Sequence, residues 1–545
     1  MRWLNDYSKQ FLEKDYILPG QTVEQRIDEI GKAAEKILGI EGFGEKVASY
    51  IKKGWISPST PIWTNFGNTR GLPISCFNTY CPDSIEGILS TTAEIGTMSK
   101  YGGGTSVYMG GVRGRGSTIT GNGVSNGSKS FLPLVETTTN VVSQGGTRRG
   151  YCAAYTDIFH PDIEEWLTIR GEGDPIQQIT WGVCVPTWWI NEMKEGDSEK
   201  RKIWAKVIQK RFETGLPYIF YTDNANNSES TPEVYRGKGK IKSSNLCTEV
   251  MLPIDEEESF VCDLASLVDL YYDEWVDTDC VEVITFLLDA VMTDFINKAK
   301  KIKYFDRAVK FAENHRAIGI GRLGYHSLLQ SKMMPFESLA ARNLNVIIQK
   351  NIYEKAYAAS AKLAQMFGEP EMLKGLGRRN TTLITLPPTT STAFILGQLS
   401  QSVEPWNGNY FIKDLAKGKF IIKNNYLEEI LKKYGINDDI TWDSIKKNHG
   451  SVLHLDLLTD MEKSVFKTAK EIDQNEIILQ AAQRQKYIDQ GQSINLFIAS
   501  GTTAKDVNAL LIKAHDLGLK SIYYQHNVSA AAVLTKELNC ASCEG

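Results

Sequence analysis

Runs of positive charge are the most evident absence. The 61 lysines and arginines are offset by 65 aspartates and glutamates, for a formal charge of -4, and nowhere do they gather into a stripe that could grip a nucleic-acid backbone. A polymeric nucleic-acid partner is therefore not expected. Long apolar runs are also missing: the most hydrophobic stretch, Val281 to Ile296, is interrupted by Glu282, Asp289 and Asp294 and is too short and too charged to cross a bilayer. Met1 to Gly20 mixes charged and apolar residues and lacks the core of a secretory signal, so a cytoplasmic protein with no membrane partner is expected. Histidine is scarce. His315, His326, His454, His515 and His526 show no ligand spacing and read as structural or surface residues, and no metal site is expected. Nine widely spaced cysteines are too few for the disulfide framework of a small secreted scaffold. They start as thiols, and the question becomes which of them react.

What is present reads as a large α/β protein. Residues 1 to about 55 have apolar positions at helical spacing, notably Val23 to Leu38 and Gly44 to Lys53, which predicts a small helical region over 1–58. From Ser59 the texture changes to glycine-rich loops, short apolar strands such as Gly182 to Val185 and Thr382 to Leu386, and long helices such as Leu339 to Phe367. No tandem repeat interrupts this, so one large barrel over 59–531 fits better than a string of small domains. Pro370 to Arg379 and Asp438 to Gly450 read as surface excursions, and Asp255 to Glu258 as a solvated acidic turn. A helix over Val507 to Leu519 leads into a strand-like Ser521 to His526, and a polar tail, 532–545, ends with Cys540 and Cys543.

The tail pair has Cys-x-x-Cys spacing without a second such pair or a His-x-x-x-His to complete a metal site, so thiol–disulfide exchange is the better reading. A tethered dithiol implies an internal disulfide for it to reduce. Candidates for that pair, and for a further role, are Cys76, in Pro73 to Phe77, Cys247, in Ser244 to Glu249, and Cys262, in Phe260 to Leu264. The second lies in Asn245-Leu246-Cys247-Thr248-Glu249, where an extended loop would put Asn245, Cys247 and Glu249 on one face. Pro387-Pro388-Thr389-Thr390-Ser391-Thr392 joins a strand to an expected helix, Ala393 to Leu399, so its hydroxyls and N–H groups stand where a helix start binds anions. Loops at Gly102 to Gly104, Gly110 to Gly116 with Arg113 and Arg115, and Ser143 to Gly150 with Gln144 and Arg148 have the composition of nucleotide-enclosing loops.

Asn245 to Glu249 resembles the finger-loop motif of ribonucleotide reductases, and the resemblance extends in order from Ser59 to the end of the chain. It implies a ten-stranded α/β barrel of two half-barrels with the Cys247 loop through its centre. It implies that Cys247 carries a thiyl radical, that Asn245 and Glu249 flank the ribose hydroxyls, and that Cys76 and Cys262 are the reducing pair renewed by Cys540 and Cys543. Thr60, Ser75, Pro388, Thr389, Thr390, Ser391 and Thr392 match substrate-binding positions, although an acidic residue often stands where Thr389 does. Tyr523 and Tyr524 resemble the tandem tyrosines that bring the radical from a small subunit in class I enzymes. Asp83, Ser84, Ile85, Arg113, Arg115, Gln144 and Arg148 resemble the site for a dNTP or ATP effector with Mg2+.

The implied protein is the large subunit of a class I ribonucleoside-diphosphate reductase. No cofactor of its own is expected, because a radical-generating small subunit supplies it. A homodimer is expected, with thioredoxin or glutaredoxin as external reductant. About 58 residues before the barrel leave no room for the ATP-cone seen in many class I chains, so no overall-activity site is expected. The alternatives are an adenosylcobalamin-dependent reductase of the same barrel family and an inert nucleotide-binding regulator.

Overall fold

The computed structural model describes residues 1–143, 150–415 and 418–527, with backbone only at 413–415 and 418–420. Gln144, Arg148, Cys540 and Cys543 lie outside the described residues.

The main sheet has nine strands, numbered in chain order: β1 (Ile56–Pro58), β2 (Cys76–Tyr80), β3 (Gly104–Tyr108), β4 (Cys152–Asp157), β5 (Thr180–Val185), β6 (Tyr218–Tyr221), β7 (Phe260–Val268), β8 (Ile318–Leu323) and β9 (Ser521–Ile522). Strands β2 to β6 run parallel, each beside the next. At one end β7 pairs antiparallel to β2, and β8 lies parallel to β7. At the other end β9 pairs antiparallel to β6. The ring closes through two extended segments: Ile384 bridges to Ile320 of β8, Leu386 bridges to Gln492, and Tyr523, just after β9, donates its N–H to the Ile494 carbonyl. Five parallel strands and an opposed second set, β7, β8, 382–386, 490–494 and β9, make the ten staves of a barrel in two halves. The short β1 lies outside this ring, beside the later part of β7.

Thr382 to Leu386, expected as a strand, forms bridges only. The N–H groups of Leu383 and Ile384 donate to the Asp489 carboxylate, at 2.7 and 2.9 Å, so a side chain takes the place of ladder partners. The parallel staves need crossovers, and helices supply them. All nine residues of β7 are buried, as expected for a strand covered on both faces.

Helices α1 (Asp6–Asp15), α2 (Val23–Leu38) and α3 (Phe43–Lys53) form the expected amino-terminal region. The predicted boundaries of α2 match because Thr22 and Gln25 form a reciprocal capping box and Gly39 ends the helix with a φ of 67°. Buried Arg26 donates to the carbonyls of Ile62, Trp63 and Phe66, and Phe11 packs on Phe394 at 5.1 Å between ring centres, so these helices share the core of the barrel. The predicted long helix Leu339–Phe367 is present. The helix expected at Ala393 to Leu399 instead spans Thr390–Ile395, and that expected at Val507 to Leu519 spans Ala504–Asp516 behind a Thr503 cap. Asp438 to Gly450 is not a mere surface excursion: it holds a helix, Asp439–Lys447, whose Trp442 and Ile445 enter a small separate core.

Arg322 on β8 is fully buried and paired with Asp269, with Nη2 2.8 Å from Oδ2. Another guanidinium nitrogen, Nη1, reaches Asn345 on helix Leu339–Phe367. Removing the partner of a buried charge is costly. Asp269→Ala is expected to destabilise the protein by about 3–5 kcal/mol in chemical denaturation. Glu274→Ala, which breaks the exposed pair with Arg2, is expected to cost far less.

Candidate active site

The seam between the two half-barrels decides where two of the thiols lie. In the antiparallel β2–β7 ladder Cys76 stands directly opposite Cys262. Directly opposed residues in such a ladder have α-carbons roughly 4.5–5.5 Å apart and side chains on one face, within the span of a disulfide. Both are reduced and both are buried. Burial pushes the Cys262 thiol well above its ordinary pKa, with Asp263 adding to the shift and Gln490 opposing it. Cys262 is thus held in the protonated, hydrogen-donating form.

The finger loop enters the barrel across from this seam. It is a tight turn where sequence spacing suggested an extended segment. The Asn245 side-chain oxygen accepts from the N–H groups of Glu249 and Val250, at 3.0 and 3.1 Å, and the Asn245 carbonyl accepts from Thr248 N–H. Asn245 and Glu249 converge through this local capping instead of strand alternation. Asn245 Nδ2 lies 2.9 Å from Glu249 Oε1 and 3.1 Å from Cys76 Sγ, so amide, carboxylate and thiol meet at one point.

Thr248 follows Cys247 with a φ of 64°, a left-handed conformation that a β-branched residue rarely adopts and that costs about 1–3 kcal/mol. The barrel holds it there by the loop's carbonyls. Tyr155 Oη donates to the carbonyl of Asn245 at 2.7 Å, Ser493 to that of Cys247, Ser521 to that of Thr248 at 2.8 Å, and Thr385 to that of Glu249 at 2.8 Å. Four hydroxyls from four parts of the barrel therefore fix the loop that carries Cys247. None of these four was identified from the sequence.

Burial pushes the Glu249 carboxyl up to about 7, against hydrogen bonds from Asn245, Ser493 and Cys76 that favour its charged form. A carboxyl poised there can gain or lose a proton near neutrality.

These groups face a cleft of about 650 Å³ lined by Cys76, Asn245, Cys247 and Glu249. Cys262 lies behind its wall. Of the residues expected to bind substrate, Thr60, Ser75, Pro388, Thr389, Ser391 and Thr392 line the cleft. Thr390 turns to Gln401, 2.9 Å away, and lines a neighbouring cavity of about 440 Å³. Ser57, Ser59 and Ser266 also line the cleft, with Ser59 Oγ 3.2 Å from Ser75 Oγ. Hydroxyls and the start of helix Thr390–Ile395 thus face the thiol centre across one small space.

Tyr523 and Tyr524 follow β9 at the other seam. Their ring centres are 4.4 Å apart, and both pack on Tyr218 of β6, at 4.8 and 5.0 Å.

The expected effector residues lie elsewhere. Strand β2 runs from Cys76 at the cleft to Tyr80, and Asp83 comes just beyond, roughly 13–16 Å along the strand. Asp83 accepts from Arg113 Nε at 2.7 Å, Ser84 caps the helix Ile85–Lys100, and Ile85 is exposed. Arg115 pairs with Glu165. Among the described residues, no three His, Cys, Asp or Glu converge as metal ligands, and no helix is long and apolar enough to cross a membrane.

Comparison with known proteins gives one family. The model of the ribonucleotide reductase barrel domain matches residues 74–200, 190–375 and 369–525. A Frog virus 3 (isolate Goorha) protein, provisionally named ribonucleoside-diphosphate reductase large subunit, is 35% identical over 548 residues, covering 94% of this chain and 95% of its own. The ribonucleoside-diphosphate reductase large subunit of Invertebrate iridescent virus 3 is 32% identical over 596 residues, covering 93% and 92%. The solved structure of the Actinobacillus ureae class Id ribonucleotide reductase alpha subunit superposes with a TM-score of 0.92 at 50% identity, covering 98% of this chain and 99% of that one. A thiol pair at the barrel seam, a finger loop bearing Cys247 and matches along almost the whole length agree: this chain belongs to the ribonucleotide reductases, among the class I large, or alpha, subunits.

Proposed function

We propose that this chain reduces ribonucleoside diphosphates to 2′-deoxyribonucleotides by thiyl radical chemistry, with a small subunit supplying the radical. The observation that carries the reading is the opposition of Cys76 and Cys262 beside the Asn245–Glu249 pair, with Cys76 and Cys247 both lining the cleft.

An oxidant on the partner subunit draws an electron through Tyr524 and Tyr523, and Cys247 becomes a thiyl. The thiyl takes the ribose 3′ hydrogen atom. Glu249 accepts the 3′-hydroxyl proton while Asn245 holds that oxygen, and the 2′-hydroxyl leaves as water with a proton from the Cys76–Cys262 pair. The two thiols supply two electrons and join as a disulfide. The 3′ hydrogen then returns from Cys247, which recovers its thiyl. Enclosure of the cleft keeps solvent from the radical. Thr60, Ser75, Pro388, Thr389, Thr390, Ser391 and Thr392 hold the substrate's phosphates and sugar, with Ser57, Ser59 and Ser266 added to that set.

The tail dithiol, Cys540 and Cys543, reduces the internal disulfide and is reset by thioredoxin or glutaredoxin. In this reading 1–58 is a helical cap, 59–531 the catalytic barrel and 532–545 the redox tail. Asp83, Ser84, Ile85, Arg113, Arg115, Gln144 and Arg148 hold a dNTP or ATP effector with Mg2+. A homodimer is supported by exposed Ile85 and Leu89, one helical turn apart on helix Ile85–Lys100, and by exposed Leu134 and Val141 on the adjoining helix Leu132–Val141.

Cys247→Ser is expected to abolish turnover while leaving nucleotide affinity within about threefold, or roughly 0.6 kcal/mol. An inert nucleotide binder would be unchanged in every assay. Glu249 can accept a proton only when ionised, so the ionised fraction, and with it the single-turnover rate, should rise as pH increases through about 7. Glu249→Gln is expected to slow that step roughly 100- to 10,000-fold and to flatten the pH profile. A rate with the same pH dependence in wild type and variant would remove Glu249 from the mechanism.

A further inference from the structure

Cys76 and Cys262 share a ladder position but not their surroundings. Cys76 lines the cleft, and its sulfur accepts from Asn245 Nδ2 at 3.1 Å. Cys262 has no exposed surface and lies behind the cleft wall, to which its neighbours Leu264 and Ala265 contribute. Strand β8 closes its far side: a side-chain carbon added at Gly319 would stand 3.4 Å from Cys262 Sγ, so strand backbone packs against the sulfur. Beside it Gln490, in the extended segment 490–494, turns its amide nitrogen to the same sulfur at 3.8 Å.

Gln490 is held at both ends of its amide. Its Oε1 accepts from the Met251 N–H at 3.3 Å, just past the finger loop. Its Nε2 lies 3.0 Å from the Ile318 carbonyl and 3.0 Å from Thr382 Oγ1, besides the contact to Cys262 Sγ. An amide nitrogen carries two hydrogens, so three acceptors share them here. Of the three, only the sulfur can gain a full negative charge, and a charged acceptor draws a hydrogen bond more strongly than a neutral one. The catalytic scheme uses neither Gln490 nor this difference between the two thiols.

Resting on the assignment of Cys76 and Cys262 as the internal reductant and of the tail as its renewer, we propose that the tail dithiol opens the internal disulfide at Cys76 and expels the sulfur of Cys262, which Gln490 Nε2 receives. Exchange proceeds by attack of a thiolate on one of the two bonded sulfurs, and access decides which. A nucleophile entering by the cleft meets Cys76, and the bond to be broken runs from there to the closed side. In the first exchange a tail thiolate bonds to Cys76 Sγ, the Cys76–Cys262 bond breaks, and its electron pair leaves on Cys262, which takes up a proton. Burial makes that sulfur a reluctant anion, and the Gln490 amide opposes the penalty. In the second exchange the other tail thiolate attacks the tail sulfur of the mixed disulfide, and the electron pair leaves on Cys76, which faces Asn245 Nδ2. The two protons given up by the tail thiols end on Cys262 and Cys76. The tail becomes a disulfide, and no further oxidant or reductant takes part.

The test uses the full chain with its small subunit, in Cys540→Ser and Cys543→Ser variants that each keep one tail thiol. After a single turnover the protein is quenched in acid, alkylated and peptide-mapped. The expected result, in at least one variant, is a tail peptide joined to the Cys76 peptide with Cys262 alkylated as a thiol; a tail peptide joined to Cys262 would overturn the proposal. The double variant Cys540→Ser/Cys543→Ser, oxidised by one turnover and given a stoichiometric amount of glutathione, should capture glutathione on Cys76. Capture on Cys262, or no capture on Cys76 from either source of thiol, would overturn it as well. Adding Gln490→Leu to the double variant should slow opening of the disulfide by glutathione roughly 10- to 100-fold while the first turnover keeps its yield of deoxynucleotide. An opening rate within about twofold of the parent, or an equal loss in both assays, would remove Gln490 from the step and leave it a packing residue. Deoxynucleotide formed with no Cys76–Cys262 disulfide at all would overturn the internal reductant itself, and the order of attack with it.

Discussion

The antiparallel pairing of β2 with β7 is the constraint on which the rest depends. It is a structural joint, because it fastens the parallel half-barrel to the opposed half, and it is chemical, because its register sets Cys76 against Cys262. A shift by one residue would turn one of the two side chains to the opposite face. The second joint, β6 with β9, has a parallel consequence: it ends at Tyr523 and Tyr524 and backs them with Tyr218. The two seams of one barrel therefore carry the proposed reductant and the proposed radical path, and the finger loop lies between them.

Burial has two costs here that the surroundings offset. The loop after Cys247 is bent into a left-handed conformation at Thr248, and four hydroxyls grip its carbonyls. The Glu249 carboxylate loses its hydration, and donors from Asn245 and Ser493 replace part of it, leaving its pKa raised but within reach of neutrality. A more polar pocket would give an ordinary carboxylate that binds a proton weakly. A drier one without those donors would keep it permanently protonated.

Much of this was legible in the sequence. Spacing located the amino-terminal helices, and the resemblance around Asn245 to Glu249 led to the other cysteines and to the barrel. What the sequence did not disclose was how convergence is achieved. Asn245 and Glu249 meet through a side-chain-capped turn, and that depends on where Oδ1 points. The buried polar run Asp489 to Ser493 supplies partners to 382–386, to Cys262 and to Glu249, but read as letters it could be any solvated loop. Tyr155, Thr385 and Ser521 are hundreds of residues apart or on different staves, and only closure of the ring brings them to one loop.

The central claim is that Cys76 and Cys262 are the internal reductant, joined by turnover and not by chance oxidation. The direct measurement is a single-turnover reaction of the reduced chain with its small subunit and a ribonucleoside diphosphate, without external reductant, followed by peptide mapping of thiols and disulfides. A disulfide joining the peptides of Cys76 and Cys262, formed in step with deoxynucleotide and absent from Cys247→Ser, is the predicted result. Deoxynucleotide formed while both cysteines remain thiols would contradict the account.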